Sequence, residues 1–263
     1  MNGIITYRLK STFLNSMNDE SDSLLLSPSS LRFYVTPTHP CSYFPDRQAV
    51  TLVVDPTCPL SKATYSSLSE LGFRRSGDHV YRPHCGTCHD CIPVRVPVAA
   101  FTPNRSQRRT LKCNQNLQII EQNSQLLTEH FDLYQRYVKT RHPAGGMDDS
   151  DAEQYMQFIH ADWCATRLFE FRQNEVLVAV AVTDILDNGL SAVYTFYDPD
   201  RLNLNLGTYA ILWQIQECQR RQLEWLYLGY WIPENDKMQY KSQFQPQEFF
   251  DGQQWLPRAI SRR

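Results

Sequence analysis

Residues 176–197 read VLVAVAVTDILDNGLSAVYTFY and contain two runs of strand-forming residues on either side of an Asp-Asn-Gly tripeptide at 187–189. Asn-Gly is favoured in tight hairpin turns, because the central residues of such turns must tolerate positive φ. The stretch therefore predicts two antiparallel strands, over 176–185 and 190–197, joined by a hairpin. A further strand is predicted just before them, over 168–171.

Helices are predicted on both sides of these strands. Apolar residues recur at helical spacing upstream and predict a helix from about 124 to 140; they are Leu127, Phe131, Tyr134 and Val138. Ser150 and Glu153 form a capping box, so a second helix is expected to begin there. A third helix is predicted to begin at Gly207, and a strand over 226–231 follows it.

The order of two helices, three antiparallel strands, a helix and a strand predicts an α/β (α+β) fold with a mixed sheet. It resembles the order in N-acyltransferases that use acetyl-CoA, in which a glycine-rich turn cradles the CoA pyrophosphate. The equivalent turn here has Leu204 in place of a polar residue and Tyr209 in place of a small one. Tyr209 would crowd a pyrophosphate, which favours a related scaffold with a different acyl carrier.

Residues 116–263 are therefore interpreted as an N-acyltransferase-like domain. Residues 31–115 predict a smaller N-terminal α+β domain with a cysteine-rich loop, in which Pro97 indicates that the strand around it lies at a sheet edge. Residues 1–30 are polar and have the composition of a disordered lead-in.

The composition of the 263-residue chain, with 42% hydrophobic residues, is that of an ordinary globular protein. No run of 18 apolar residues occurs, which excludes a membrane-spanning helix, and polar residues interrupt the N-terminus before a signal peptide can form. A cytoplasmic location is therefore expected. The eight cysteines are then expected to be reduced rather than paired in disulfides.

The net charge of −2 does not indicate a nucleic-acid partner, but the distribution of charge is uneven. Residues 74–112 contain eight Arg and Lys residues against two Asp residues. Such a block can neutralise phosphates and attract an anionic ligand. The alternative is a basic surface that only meets solvent.

Three cysteines with the spacing of a metal-binding loop, Cys85, Cys88 and Cys91, lie in the sequence RPHCGTCHDCIPVR. Cys41 is a candidate for a fourth ligand, and four cysteines suit either a structural zinc ion or an iron–sulfur cluster. The alternative is a compact thiol-rich turn that packs without a metal.

Several motifs, taken in order, resemble those of the bacterial aminoacyl-tRNA–protein transferases, which move leucine from leucyl-tRNA onto proteins with an N-terminal Asp or Glu. The motifs are FRRSG (73–77), YRPHC (81–85), CIPVRV (91–96), NRSQR (104–108), LYQRY (133–137), LGTYA (206–210), LYLGYW (226–231), KMQYK (237–241) and FQP (244–246). The second half is also similar to the eukaryotic arginyl-tRNA–protein transferases. The resemblance spans about residues 31–256.

The resemblance implies an aminoacyltransferase that adds leucine to the α-amine of its protein substrates and so creates an N-degron, a signal for protein degradation. The ester of an aminoacyl-tRNA is already activated, so no cofactor such as ATP or CoA is required. The implied partners are leucyl-tRNA and proteins that begin with Asp or Glu, without DNA or a membrane. Transfer of arginine would instead need an acidic pocket, for which Glu170, Asp184 and Asp187 are candidates. A metal-bearing RNA-binding module without catalysis is another alternative.

Lys241, Tyr240 and His142 are the expected catalytic residues. Lys241 follows the predicted strand 226–231, and acyl-transfer sites of this layout lie beside such strand ends. Lys241 would pair with the acidic side chain of the incoming N-terminus or stabilise an oxyanion, and His142 would act as a base. The alternatives are a solvent-facing lysine, which is the usual state of lysines, and an exposed loop histidine.

Other residues are expected to bind the two substrates. Arg74 and Arg75 are candidates, beside Lys241, for the acidic N-terminal residue, because arginine holds carboxylates in a bidentate manner. Arginines are expected to bind the phosphates of the tRNA. Aromatic rings are expected to stack on the terminal adenosine or to line an apolar pocket, and backbone amides at a helix N-terminus are expected to face the aminoacyl end. These residues are Arg105, Arg108, Arg109, Gly207, Tyr194, Tyr230 and Trp231. The alternatives are aromatic residues in the core and a tight turn at Gly207.

Relatives of the resembled family carry metal-binding cysteines near Cys41 and Cys91, although Phe44 and Ile92 stand here where the relatives have further cysteines.

Overall fold

The computed structural model describes residues 4–7, 31–141 and 150–257. Contacts divide the chain into two compact units, which we call unit 1 (Met1–Pro59 and His79–Cys88) and unit 2 (Leu60–Asp78 and His89–Arg263). The helices are α1 (Lys62–Glu70), α2 (Arg105–Cys113), α3 (Thr128–Arg141), α4 (Ala152–Ile159), α5 (Leu206–Arg220) and α6 (Asp236–Gln239). The strands are β1 (Ile4–Tyr7), β2 (Leu31–Val35), β3 (His39–Pro40), β4 (Gln48–Ala49), β5 (Thr51–Val54), β6 (Arg74–Ser76), β7 (His79–Pro83), β8 (Ile92–Pro97), β9 (Gln118–Asn123), β10 (Thr166–Gln173), β11 (Val176–Ile185), β12 (Gly189–Tyr197), β13 (Trp225–Trp231), β14 (Glu248–Phe250) and β15 (Trp255–Pro257).

Unit 1 is built on an antiparallel sheet in which β1, β2, β5 and β7 lie side by side in that order. Leu31, Phe33, Leu52 and Val54 are buried, and their spacing of two along each strand places them on one face. Of the predicted lead-in over 1–30, the structure describes only β1. The rest of that prediction lies outside the described residues.

Unit 2 contains an eight-stranded sheet in the order β15-β14-β8-β13-β12-β11-β10-β9. All neighbours are antiparallel except β12 and β13, which are parallel and are connected through α5. The mixed α/β fold is therefore confirmed. The predicted hairpin forms, since the Leu186 amide donates to the Gly189 carbonyl at 2.9 Å.

Helices cover both faces of this sheet because β11 is apolar on both sides. Val180 and Val182 pack with residues of α3 and α4, whereas Ala179 and Ala181 pack with residues of α5. Alternate residues of a strand point to opposite faces, so α3 and α4 lie on one face and α5 lies on the other. None of the helices in the described part of the chain is long and apolar enough to cross a membrane.

The predicted start of α4 is wrong by one residue. Asp151, rather than Ser150, is the N-cap, and its carboxylate accepts from the Gln154 amide at 2.8 Å while the Gln154 side chain accepts from the Asp151 amide at 3.2 Å. The sequence contains two overlapping capping boxes, and Asp with Gln satisfies the motif as well as Ser with Glu.

The predicted domain boundary at 115/116 also differs from the division that the contacts give. β8 lies in the sheet of unit 2, between β13 and β14, so it is not an edge strand as Pro97 suggested. β14 pairs only with Val94 and Arg95 of β8. Residue 97 lies beyond this pairing, so its backbone needs no N–H to donate to β14, and proline is tolerated there.

Candidate active site

β12 and β13 pair over three residues only, and the last pair joins Ser191 to Tyr227. Past this point the guanidinium of Arg74 supplies donors to β12, because its Nη2 donates to the carbonyls of Ala192 at 2.9 Å and Val193 at 3.3 Å. We call this region the β12–β13 split. A cation from β6 thus takes the place of a neighbouring strand.

Gly229 of β13 lies against the same guanidinium. Its φ is +77°, a conformation that favours glycine, and a Cβ at this position would lie 2.3 Å from Nη1 of Arg74. Nη1 itself is buried and has no hydrogen-bond partner in the described residues. The absence of a side chain at 229 is therefore what allows Arg74 to enter the split.

Lys241 lies in a short 3-10 helix, Tyr240–Gln243, and is 7% exposed. Its Nζ donates to the Tyr230 carbonyl of β13 at 2.6 Å. Burial, together with the positive charge of Arg74, lowers the pKa of Lys241 to about 7, although the nearby Cys91 opposes this shift. Neither Arg74 nor Lys241 forms an ion pair with a carboxylate of the described residues, so the split carries uncompensated positive charge.

Four tyrosines adjoin these cations and are called the tyrosine cluster: Tyr137, Tyr194, Tyr197 and Tyr240. The rings of Tyr137 and Tyr197 are 4.8 Å apart, those of Tyr137 and Tyr194 are 6.2 Å apart, and the ring of Tyr240 is 5.8 Å from Nζ of Lys241. Burial raises the pKa of Tyr137 and Tyr194. The cluster offers apolar ring faces and hydroxyl donors beside the two cations.

Comparison with known protein families accounts for most of this chain. The profile described as "Arginine-tRNA-protein transferase, N terminus" matches residues 39–109, and the one described as "Arginine-tRNA-protein transferase, C terminus" matches residues 129–251. The chain belongs to this family. The transferase is also similar to curated relatives named aspartate/glutamate leucyltransferase.

Three such relatives come from Pseudomonas paraeruginosa and Pseudomonas aeruginosa, each 53% identical, and Pseudomonas fluorescens, 51% identical. Each match covers 86% of the transferase and 96% of the relative. Among solved structures, the C-terminal domain (DUF2156) of a putative lysylphosphatidylglycerol synthetase from Agrobacterium fabrum aligns with a TM-score of 0.40 and 10% identity, over 54% of this chain and 47% of that chain.

Arg75 does not take the role predicted for it. It is fully buried, its Nε and Nη2 donate to the two carboxylate oxygens of Asp184 at 2.7 and 2.6 Å, and Nη2 also donates to Thr166 Oγ1 at 2.8 Å. Burial alone would lower the pKa of Arg75, but the charge of Asp184 outweighs it and raises the pKa. Arg75 is thus a structural partner of Asp184, and only Arg74 of the two arginines lies at the split.

The three carboxylates considered for an arginine pocket are all paired. Asp184 binds Arg75, and Asp187 binds Lys62 at 3.0 Å. Glu170 accepts from His130 at 2.7 Å and from Arg172 at 2.6 Å. None of these three carboxylates is left to neutralise a guanidinium on the carried amino acid.

The residues predicted for the aminoacyl end divide between the core and the site. The ring of Tyr230 is buried and its hydroxyl donates to the Gly72 carbonyl at 3.1 Å, so only its backbone carbonyl serves the site. Trp231 is partly buried against the core beside α5, whereas Tyr194 belongs to the tyrosine cluster.

Gly207 lies in the first turn of α5, where a Cβ would come 3.2 Å from the Tyr197 ring. The predicted core alternative therefore holds for Tyr230, and Gly207 makes room for Tyr197.

The predicted arginines Arg105, Arg108 and Arg109 lie on α2, all exposed. This helix was missed in the sequence, although Asn104 and Gln107 form a capping box that could have revealed it. His142, the predicted base, lies outside the described residues.

Three of the four cysteines predicted as metal ligands lie in unit 1. Within unit 1, Cys41 Sγ accepts from the Tyr43 amide at 3.4 Å, Cys85 Sγ donates to the Val50 carbonyl at 3.7 Å, and Cys88 Sγ accepts from Arg47 at 3.6 Å. Cys91 belongs to unit 2. Across the described residues, no three His, Cys, Asp or Glu side chains are grouped to hold a metal ion. The zinc or iron–sulfur site stays a prediction.

The Gly229→Ala substitution should test the close approach of Arg74. The new Cβ would collide with the guanidinium, and the positive φ would add backbone strain of about 1–3 kcal/mol. We expect the free energy of unfolding, measured by urea titration, to fall by at least that amount. Gly86→Ala is the control, because a Cβ at Gly86 meets no atom within 4 Å. Equal stability of the two variants would contradict the packing at Gly229.

The low pKa of Lys241 should make stability depend on pH. In the unfolded chain this lysine titrates near 10.5, but in the folded protein it titrates near 7, so folding releases a proton between those values. Stability from this group therefore rises with pH through that window. Relative to Lys241→Met, the wild-type free energy of unfolding should increase by about 2 kcal/mol between pH 7 and pH 9.

Urea titrations at both pH values measure this difference. Lys237→Met, which removes an exposed lysine nearby, should leave the pH dependence of the wild type unchanged. Identical pH dependence in Lys241→Met and wild type would show that Lys241 titrates normally.

Proposed function

We propose that this transferase moves leucine from leucyl-tRNA to the α-amine of proteins that begin with Asp or Glu, and so marks them for degradation in the cytoplasm. The names of relatives 51–53% identical over most of the chain support this assignment. The structural observation that carries it is the pair of cations at the β12–β13 split, Arg74 and Lys241, which lack a carboxylate partner among the described residues. The side chain of an N-terminal Asp or Glu is the anion that this pair would bind.

Binding of that carboxylate would favour the charged form of Lys241, because an opposite charge nearby raises the pKa of an amine. The acidic residue would thereby be fixed with its α-amine beside the tyrosine cluster. The ring faces of the cluster suit the apolar side chain of leucine. The hydroxyls, which are protonated near neutral pH, can donate to the ester carbonyl as negative charge develops on it.

The remaining chemistry requires little else from the protein. A free α-amine has a pKa near 8, so it is partly deprotonated near neutral pH and can attack the ester carbonyl. The bond to the ribose oxygen then breaks, and the proton that the amine loses passes through water to that oxygen, so the tRNA leaves with a free hydroxyl. Holding the ester and the amine together supplies much of the acceleration, on the order of several kcal/mol. The ester is already activated, so the reaction needs neither ATP nor CoA.

The choice of leucine over arginine as the transferred amino acid is supported by the ion pairs of three carboxylates, Asp184, Asp187 and Glu170, with residues of the same chain. A guanidinium placed in the tyrosine cluster would be buried without one of these carboxylates. Burying an unpaired charge costs several kcal/mol, whereas burying a leucine side chain is favourable.

The test is a transfer assay with purified protein, leucyl- or arginyl-tRNA carrying a labelled amino acid, and peptides beginning with Asp, Glu or Asn. We expect labelled leucine on the Asp and Glu peptides, and little on the Asn peptide. Transfer of arginine but not leucine would overturn the choice of amino acid. Absence of any labelled peptide, with tRNA still bound, would favour the RNA-binding module without catalysis.

A further inference from the structure

The exposed side of α2 carries positive charge along its whole length. Arg105, Arg108, Arg109 and Lys112 are exposed, while Gln107 and Thr110 of the same helix are buried. The four basic side chains form no ion pair with a carboxylate of the described residues. Of these four side chains, Arg108 alone donates to another described residue, the Pro103 carbonyl at 2.7 Å. These four residues are called the α2 basic face.

The four charges form one surface because of their spacing. Residues three, four and seven positions apart lie on the same side of a helix. At 1.5 Å per residue, the α2 basic face extends over about 10 Å from Arg105 to Lys112. No carboxylate of the described residues neutralises these charges, whereas the side chains of Arg167, Arg172 and Arg221 each bind a glutamate.

The buried side of α2 is fixed to the two segments that border the β12–β13 split. Gln107 Nε2 donates to the carbonyl of Gln243, at the end of the 3-10 helix that carries Lys241. Just past the end of α2, Asn114 Nδ2 donates to the carbonyl of Leu204 at 2.8 Å, in the loop that leads into α5. An anionic polymer bound to the α2 basic face is thereby held next to the candidate active site.

We propose that the α2 basic face binds the phosphate backbone of the tRNA arm that ends in the aminoacyl ester, and that it does so without reading the sequence of that arm. This inference rests on the proposed function. Lys and Arg contacts with phosphates position a nucleic acid but carry no sequence information. The major groove of an RNA helix is too deep and narrow for side chains to read, and the exposed side of α2 has no aromatic residue to stack on a base.

The proposal assigns separate tasks to two parts of unit 2. The α2 basic face would hold any tRNA arm, and the tyrosine cluster would decide which amino acid is accepted. Discrimination between aminoacyl-tRNAs would then depend on the esterified amino acid and not on the nucleotides near it.

The experiment compares a triple variant, Arg105→Gln, Arg109→Gln and Lys112→Gln, with wild type. The control is a triple variant with the same reduction of charge at ion-paired surface positions, Lys62→Gln, Arg167→Gln and Arg220→Gln. Binding of leucyl-tRNA is measured over a range of salt concentrations, and transfer is measured at saturating peptide. Both measurements are repeated with leucyl-tRNA whose acceptor-stem base pairs have been exchanged. Circular dichroism melts verify that both triple variants are folded.

In the α2 variant we expect KM for leucyl-tRNA to rise at least tenfold, with kcat at saturating tRNA and KM for the peptide close to wild type. The slope of log affinity against log salt should decrease by about 0.7–0.9 for each phosphate that the variant no longer neutralises. The control variant should keep the wild-type slope, and the exchanged base pairs should leave every value unchanged.

Wild-type affinity and salt slope in a folded α2 variant would overturn the inference while leaving the proposed function intact. A decrease in affinity that depends on the acceptor-stem sequence would overturn the claim that the sequence is not read. A wild-type protein that binds tRNA through α2 but transfers no leucine would instead refute the proposed function.

Discussion

Lys241→Met should lower kcat/KM for leucine transfer to an Asp-led peptide by roughly 30-fold to 5,000-fold. The variant leaves the incoming carboxylate buried beside Arg74 alone, and removal of one partner from a buried, hydrogen-bonded charge pair costs about 2–5 kcal/mol. Methionine fills a similar volume, so the backbone around the Tyr230 carbonyl should keep its position. Steady-state transfer of labelled leucine measures the effect.

The specificity of the variant distinguishes recognition from general damage. Wild type should prefer an Asp-led peptide over an Asn-led one, and Lys241→Met should lose most of this preference because its rate with the Asn peptide changes little. Lys237→Met provides the matched control, since it removes an exposed lysine four residues away and should retain full activity. An unchanged Asp-to-Asn ratio in Lys241→Met would show that Lys241 does not hold the acidic side chain.

Asp184→Ala should reduce the free energy of unfolding by about 3–5 kcal/mol, the cost of leaving one charge of a buried ion pair without its partner. Arg75 would remain in a site where neither side chain of the pair is exposed to solvent. Urea titration measures the decrease. At a temperature where the variant stays folded, KM for the Asp-led peptide should equal the wild-type value.

The double variant Arg75→Met, Asp184→Leu separates the charge effect from packing. It removes both charges and replaces them with apolar side chains of similar size, so its stability should return close to that of wild type. A double variant as unstable as Asp184→Ala would show that the ion pair is needed for more than charge balance. A selective rise in KM for Asp-led peptides in the folded single variant would return Arg75 to the substrate site.

The parts of the fold that depend on local pattern could be predicted from the sequence. Strand β11 and the hairpin that follows it are examples, because a tight turn and a long apolar run each involve neighbouring residues. The positive φ predicted from the Asn-Gly pattern does not occur at Asn188 or Gly189. β14 and β15 were missed, since three-residue strands carry too little pattern. α2 shows no apolar periodicity, because its buried residues, Gln107 and Thr110, are polar.

The candidate site was predictable only in part, and the reason lies in distance along the chain. Motif resemblance identified Arg74 and Lys241, but it could not separate Arg74 from Arg75, which is next to it in sequence. Their different roles depend on partners more than 100 residues away: the carbonyl of Ala192 for Arg74 and the carboxylate of Asp184 for Arg75. Alternation along β6 points the two side chains to opposite faces, and only the assembled sheet shows that Arg74 lies at the β12–β13 split while Arg75 lies against Asp184.

The position of β8 within the large sheet has a practical consequence for dividing the protein. A fragment starting near residue 116 would lack β8, so β13 would expose an unpaired edge and the core would lack the buried side chains of Val94 and Val96. Such a fragment should aggregate when produced alone. Co-expression with the preceding fragment, which contains β8, should restore a soluble complex by strand complementation.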